Sequence, residues 1–229
     1  MTKWLNSSMN QSALILASAS PRRRELLGAL GVPFEVRPSN VDEDPLLSET
    51  PLQTQRRITV DKANAAMTDD RCAVVGGRSS VVVIACDTTV LLDGEMLNKP
   101  ADEAEAWLML RKLRGRVHQV QSCLVIRTGD QQDQQIIDIV ISDVQMRDYS
   151  DDEIAAYIAT GDPFDKAGSY AVQHPAFKPV ADIRGCPLNV IGLALCQLRK
   201  HLPKLPPCEA VCERYSGKPC STRLMTCDT

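Results

Sequence analysis

The sequence predicts an α/β fold in which a mixed β-sheet is flanked by helices. Three observations carry that expectation. Short β-branched segments bounded by turn residues alternate with segments of helical periodicity. Two long strand segments, 117–127 and 135–147, follow one another closely and read as an antiparallel hairpin inside an otherwise interleaved order. The composition, 44% hydrophobic and 24% charged over 229 residues, suits a globular chain able to bury a large core.

Residues 1–11 read as a disordered leader. Lys3, the apolar run at 13–17 and the small residues after it partly mimic a secretory signal, but the run is shorter than the roughly 7–15 residues of a signal core. The segment 13–17 reads instead as a strand. It leads through a Ser-rich turn into a helix over 21–30, with Ser20 as N-cap and Pro21 in the first turn. A strand at 34–37, a helix at 52–67, strands at 81–85 and 88–93 and a helix at 102–113 follow. After the hairpin, a helix over 150–159 opens with a capping box, Ser150 with Glu153, and stops at Gly161. Pro163 and Gly168 make 161–173 a defined loop. The last strand is 180–184, and 188–202 reads as one final helix. From Pro203 the pattern dissolves into Pro, Cys and charge, which leaves a domain over 12–202 and a Pro/Cys-rich tail over 203–229.

Several function classes are excluded. A net charge of −3 argues against a nucleic-acid binder held by a general basic field, and nine aromatic residues leave little for base stacking. No apolar run approaches the roughly 18 residues of a membrane span. P-loop, dinucleotide and nucleophile-elbow motifs are absent, and His118, His174 and His201 share no metal-ligand spacing. Cys72, Cys86, Cys123, Cys186 and Cys196 read as reduced thiols of a cytosolic protein. Cys208, Cys212, Cys220 and Cys227 crowd into the tail without a CxxC, and read as free thiols of a flexible segment rather than a zinc site.

Three stretches can carry chemistry. In 14–27, LILASASPRRRELL, a strand enters a Ser-rich turn and a helix N-terminus, which offers free N–H groups to an anion. Three arginines there break the rule that disfavours cations at that end. Arg23 falls near the centre of the apolar face formed by Leu26, Leu27 and Leu30, so it needs an anionic partner, either a bound phosphate or an internal carboxylate. In 81–89, VVVIACDTT, an apolar strand delivers Asp87 at its end, as a metal ligand, a base or a plain turn former. Glu43 and Asp44 add carboxylates after the second strand. Lys62 lies on the less polar side of its helix, where lysines commonly snorkel, and Lys99 sits in a loop. In 161–173, Lys166 beside Gly168 can meet a phosphate, and the Gln173 amide can read a base edge.

These pieces, in this order, resemble the Maf family of nucleoside triphosphate pyrophosphatases. The resemblance rests on LASASPRRRELL at 16–27, VDED at 41–44, DKA at 61–63, ACDTTV at 85–90, LNKPAD at 97–102, LRGRVHQV at 113–120, the run at 149–173 and IRGCPLNVIGLAL at 183–195. It implies two lobes around a central cleft, a homodimer, and metal-dependent (Mg²⁺ or Mn²⁺) cleavage of nucleoside triphosphates to a monophosphate and pyrophosphate. Carried over by motif, Ser18, Arg22 and Arg23 hold phosphates, and Lys62, Lys99 and Lys166 add positive charge. Asp87 ligates metal or activates water with Glu43 assisting, Lys99 completes the catalytic set, and Gln173 lies near the base. The reading DKAG at 165–168 points to the dTTP/UTP branch rather than the 7-methyl-GTP branch. A non-catalytic nucleotide-binding regulator of cell division is the alternative of a different class. Cys86 and His174–Pro175 depart from the family pattern, and the cysteine tail lies outside it.

Overall fold

A computed structural model of the chain describes residues 13–67, 81–129 and 134–217. The leader expected at 1–11, Cys72, Cys220 and Cys227 lie outside these residues. The elements run β1 (Ala13–Leu16), α1 (Pro21–Gly28), β2 (Glu35–Val36), α2 (Pro51–Met67), β3 (Val81–Leu92), β4 (Glu95–Leu97) and α3 (Glu103–Leu113). Then come β5 (Val117–Thr128), β6 (Gln135–Met146), α4 (Asp151–Ile158), two 3₁₀ turns (Asp162–Asp165 and Ala167–Ser169), β7 (Val180–Arg184), α5 (Pro187–Ile191), α6 (Leu195–His201) and α7 (Glu209–Ser216).

The strands form one 7-stranded sheet in the order β2-β1-β3-β5-β6-β7, with β4 also paired to β3. β1 runs parallel to β2 and β3, and the other pairings are antiparallel, so the sheet is mixed as the sequence predicts. Alternation along the strands sorts the core. Leu14, Leu16, Val82 and Ile84 point to one face, under α1, α5, α6 and α7. Ile15, Ala17, Val81, Val83 and Ala85 point to the other face, under Ala63 and Ala66 of α2. A further cluster joins α3, α4, β4 and the aromatic rings of Tyr149, Tyr157 and Phe177 in a second lobe. Local signals set several boundaries. Ser150 accepts from the Glu153 N–H while the Glu153 side chain accepts from the Ser150 N–H, completing the capping box.

Three expectations are corrected. Segments 81–85 and 88–93 are one strand, because Cys86 and Asp87 stay in register with Leu124 and Cys123 of β5. Asp87 is therefore in mid-strand, not at a strand end. The helix expected over 188–202 is two helices, because Gly192 closes α5 at φ 135°, a conformation that suits only glycine. Beyond Pro203 the chain is not free of regular structure: α7 packs Val211 and Cys212 into the core beside Leu205 and Cys208.

His118 on β5 is buried, and its Nε2 pairs with the Tyr170 hydroxyl at 2.7 Å while Nδ1 has no partner among the described residues. Burial lowers its pKa to about 4, so the folded chain keeps the ring neutral while the unfolded chain protonates it from about 6.5. The unfolded state then holds more protons, and stability falls as pH drops from about 6.5 to about 4, by at most ~1.4 kcal/mol per pH unit from this group. Denaturant melts of wild type and His118→Gln across that range should show a shallower pH dependence in the variant. Equal slopes would remove His118 as the cause.

Candidate active site

The cleft begins as a gap in strand pairing. β5 follows one edge of β3 from Val82 to Leu91. On the other edge, β1 stops at the Leu16–Ile84 pair and β4 starts at the Val90–Leu97 pair. Between them β3 has no strand neighbour among the described residues, and the Ala17 N–H reaches back to the Ile84 carbonyl, at 2.8 Å. A cleft of about 720 Å³ opens here, between the two lobes, within the usual size range of small-molecule sites. Ser18, Arg22, Arg23, Glu43, Lys62, Asp87, Lys99, Lys166 and Gln173 all line it.

Lys62 does not snorkel. Its stem is buried in α2 packing, and its ammonium lies 3.1 Å from Asp87 Oδ1 and 2.9 Å from Glu43 Oε1. One cation thus gathers carboxylates from mid-strand β3 and from the loop after β2. That loop is tied to α2 by Arg57, which donates to the Asp44 carbonyl at 2.8 Å and to both oxygens of Glu49. The Arg57 guanidinium holds the Glu49 carboxyl down at about 2. Below Asp87, the buried Gln55 amide donates to the Asp87, Gln121 and Thr89 oxygens at 2.9–3.1 Å and accepts from the Gln121 amide. Sequence reasoning missed Gln55. Its signal was a polar residue on the buried stripe it shares with Ile58, Thr59 and Lys62.

Arg23 sits at the cleft wall without a carboxylate partner among the described residues. Its guanidinium donates to Ser18 Oγ at 3.1 Å, Thr88 Oγ1 at 3.2 Å and the Gly192 carbonyl at 3.0 Å. Ser18 Oγ also accepts from the Ser20 N–H, at 3.3 Å, and Ser20 caps α1. Three neutral acceptors orient the fork and leave its charge uncompensated, which is what a bound anion requires. Thr88, its partner Ser122 and Gly192 are further residues the sequence did not single out; Thr88 and Ser122 face each other across β3 and β5 at 2.9 Å. Arg22 is half-buried beside them and makes no ion pair among the described residues. The Cys86 thiol is buried and hydrogen-bonds the Gly192 carbonyl; burial pushes its pKa up, so it stays a neutral packing group.

The opposite wall differs. Lys166 is buried and already paired, 2.9 Å from Asp162 and 2.5 Å from Asp165, so its charge is largely met within its own loop. Gly168, at φ 69°, lets this loop pass so close that a Cβ would lie 3.0 Å from Val90. Lys99 is exposed at the cleft. Gln173 is exposed at the rim and donates to the carbonyl of Tyr215 on α7, at 3.0 Å.

Fold and site define an α/β protein with a cation-rich cleft between two lobes. Comparison with known proteins places it further. The Maf-like protein family profile matches residues 13–205, and the chain belongs to that family. A protein of Thermomicrobium roseum named dTTP/UTP pyrophosphatase is 43% identical over 183 residues, 80% of this chain and 79% of that protein. One of the same name from Geotalea uraniireducens is 43% identical over 195 residues, 85% and 96% of the two chains. Among solved structures, a nucleoside-triphosphatase/dITP/XTP pyrophosphatase from Mycobacterium abscessus matches with a TM-score of 0.37 at 14% identity, over 60% of this chain and 75% of that one.

Removal of the unpaired fork should weaken anion binding. Arg23→Ala is expected to cost at least tenfold in affinity for inorganic pyrophosphate, the ~1.5–3 kcal/mol of a charged hydrogen bond. Calorimetric titration checks this, and unchanged affinity would move the anion site away from Arg23.

Proposed function

We propose that this chain hydrolyses dTTP and UTP between the α and β phosphates, releasing a nucleoside monophosphate and pyrophosphate. The observation that carries the reading is the pairing of two environments in one cleft. An arginine held only by neutral acceptors stands on one side, and a Lys62-centred carboxylate pair stands in the gap beside it. The names of the similar proteins support the substrate class.

In this reading Arg23, Arg22 and Ser18 hold the β and γ phosphates. Their charge stabilises the pyrophosphate as the bond to its oxygen breaks. Asp87 orients the attacking water and accepts its proton as the water oxygen bonds the α-phosphorus. Lys62 keeps Asp87 and Glu43 together despite their like charge. Gln55 holds the strand at Asp87, and Lys99 adds charge from the open side. Gln173 meets the base at the rim, and Lys166 shapes the loop beneath it.

The donor set fits a divalent cation. Asp87 and Glu43 each use one oxygen on Lys62, and their other oxygens have no hydrogen bond among the described residues, leaving hard ligands of the kind Mg²⁺ and Mn²⁺ prefer. Such an ion, when bound, supplies charge neutralisation for the triphosphate. The same reading carries a homodimer and a cytoplasmic setting, the latter supported by the free thiols among the described residues.

A substrate panel tests the proposal: dTTP, UTP, CTP, 7-methyl-GTP and the purine triphosphates with Mg²⁺ or Mn²⁺, reading monophosphate and pyrophosphate. Fast release from dTTP and UTP is expected, abolished by chelation and restored by added metal. Preference for 7-methyl-GTP would overturn the substrate assignment, and binding without turnover would overturn the reaction. Asp87→Ala should lose at least about two orders of magnitude in rate, the scale of a lost general base, with little change in pyrophosphate affinity. Near-normal turnover would take Asp87 out of the mechanism.

A further inference from the structure

Outside the cleft, the C-terminal segment brings together sulfur atoms that the proposed reaction does not use. Cys196 belongs to α6, Cys208 precedes α7, and Cys212 lies one helical turn further on, its N–H bonded to the Cys208 carbonyl at 2.8 Å. Their sulfurs lie within 4.8 Å of one another. Cys196 Sγ is 3.4 Å from Cys208 Sγ and 3.7 Å from Cys212 Sγ. Cys208 and Cys212 are buried, Cys196 is half-buried, and a fourth thiol, Cys186, lies buried in the core beside Cys196. Arg199 lies beside Cys208, donating to the Leu205 carbonyl at 3.3 Å and pairing with Glu209 at 3.5 Å.

Spacing separates two uses of such a cluster. A disulfide needs sulfurs at about 2.05 Å. A tetrahedral zinc ion with Zn–S bonds of about 2.3 Å holds its sulfurs about 3.8 Å apart. The two contacts from Cys196 are near the second value. Cys208 and Cys212 also have the short ligand spacing, three intervening residues, common in structural zinc sites.

We propose that Cys196, Cys208 and Cys212 form a structural thiolate site for Zn²⁺ that fastens α7 to α6 and the core. Binding releases the proton of each neutral thiol as its sulfur bonds the ion. The ion does no chemistry on substrate. It holds in place a helix that reaches the cleft rim, where the Tyr215 carbonyl accepts from Gln173 and the Tyr215 hydroxyl donates to Glu25 of α1 at 2.6 Å.

The test uses the full chain, purified under reductant, stripped with a chelator and titrated with Zn²⁺ alone, then with Co²⁺. One Zn²⁺ per chain should remain after dialysis, and Co²⁺ should give the thiolate charge-transfer and d–d bands of a tetrahedral sulfur site. Zn²⁺ should raise Tm in wild type and leave it unchanged in a Cys196→Ser/Cys208→Ser/Cys212→Ser variant. Asp87→Ala, which alters only the cleft, should keep the zinc. The cobalt spectrum of wild type needs no variant to fold, and absence of the thiolate bands would overturn the site. So would zinc retained by the triple variant but lost from Cys220→Ser/Cys227→Ser, or a Cys196–Cys208 disulfide in protein kept under reductant.

Discussion

The site depends on one missing neighbour. β3 is twelve residues long, but β1 covers only its first part and β4 only its last. A backbone that is fully paired on one edge and open on the other is both rigid and reachable. Asp87 exploits this: β5 holds its backbone in register, while its side chain, on the α2 face with Ala85, meets Lys62 in the cleft. A strand end, where the sequence seemed to put this residue, would have been looser. Mid-strand placement fixes the carboxylate through the continuous ladder between β3 and β5.

Electrostatics then divides the cleft into walls of different character. Arg23 is satisfied geometrically by hydroxyl and carbonyl oxygens and left unsatisfied in charge. Lys62 is held between two carboxylates whose mutual repulsion it relieves. Lys166 is internally neutralised by Asp162 and Asp165. These three cations looked alike as motif residues, yet the structure gives them different surroundings: neutral acceptors for one, two acids from separate segments for the second, and two acids of its own loop for the third. A guanidinium needs several acceptors to be aimed, and neutral acceptors aim it without spending its charge.

The C-terminal segment changes how the rim should be viewed. α7 lies beyond the matched family region at 13–205 and touches both the Gln173 loop and helix α1 through a single residue, Tyr215. Leu205 and Val211 pack it into the core beside the thiols of Cys208 and Cys212.

Local chemistry was enough for much of the architecture. Ser20 and Pro21 announce α1, Ser150 and Glu153 announce α4, and alternation in 117–147 announces the hairpin; each signal acts within a few residues. The same is true of Arg23, whose place on an apolar helix face demanded a partner. What sequence could not contain was the partner itself: Gly192, Thr88 and Ser18 converge on that guanidinium from three separate segments. Asp87 looked like a strand end because its polarity breaks an apolar run, and only pairing with Cys123 carries the strand through it. The final helix looked continuous because Gly192 is tolerable in isolation, and only its positive φ divides it. Cys208 and Cys212 read as free thiols because their third companion, Cys196, belongs to another helix. Periodicity and capping are short-range and were legible in order along the chain; the charge balance of the cleft and the thiol cluster are contacts across long sequence separations, which only the packed sheet and its helices bring within reach.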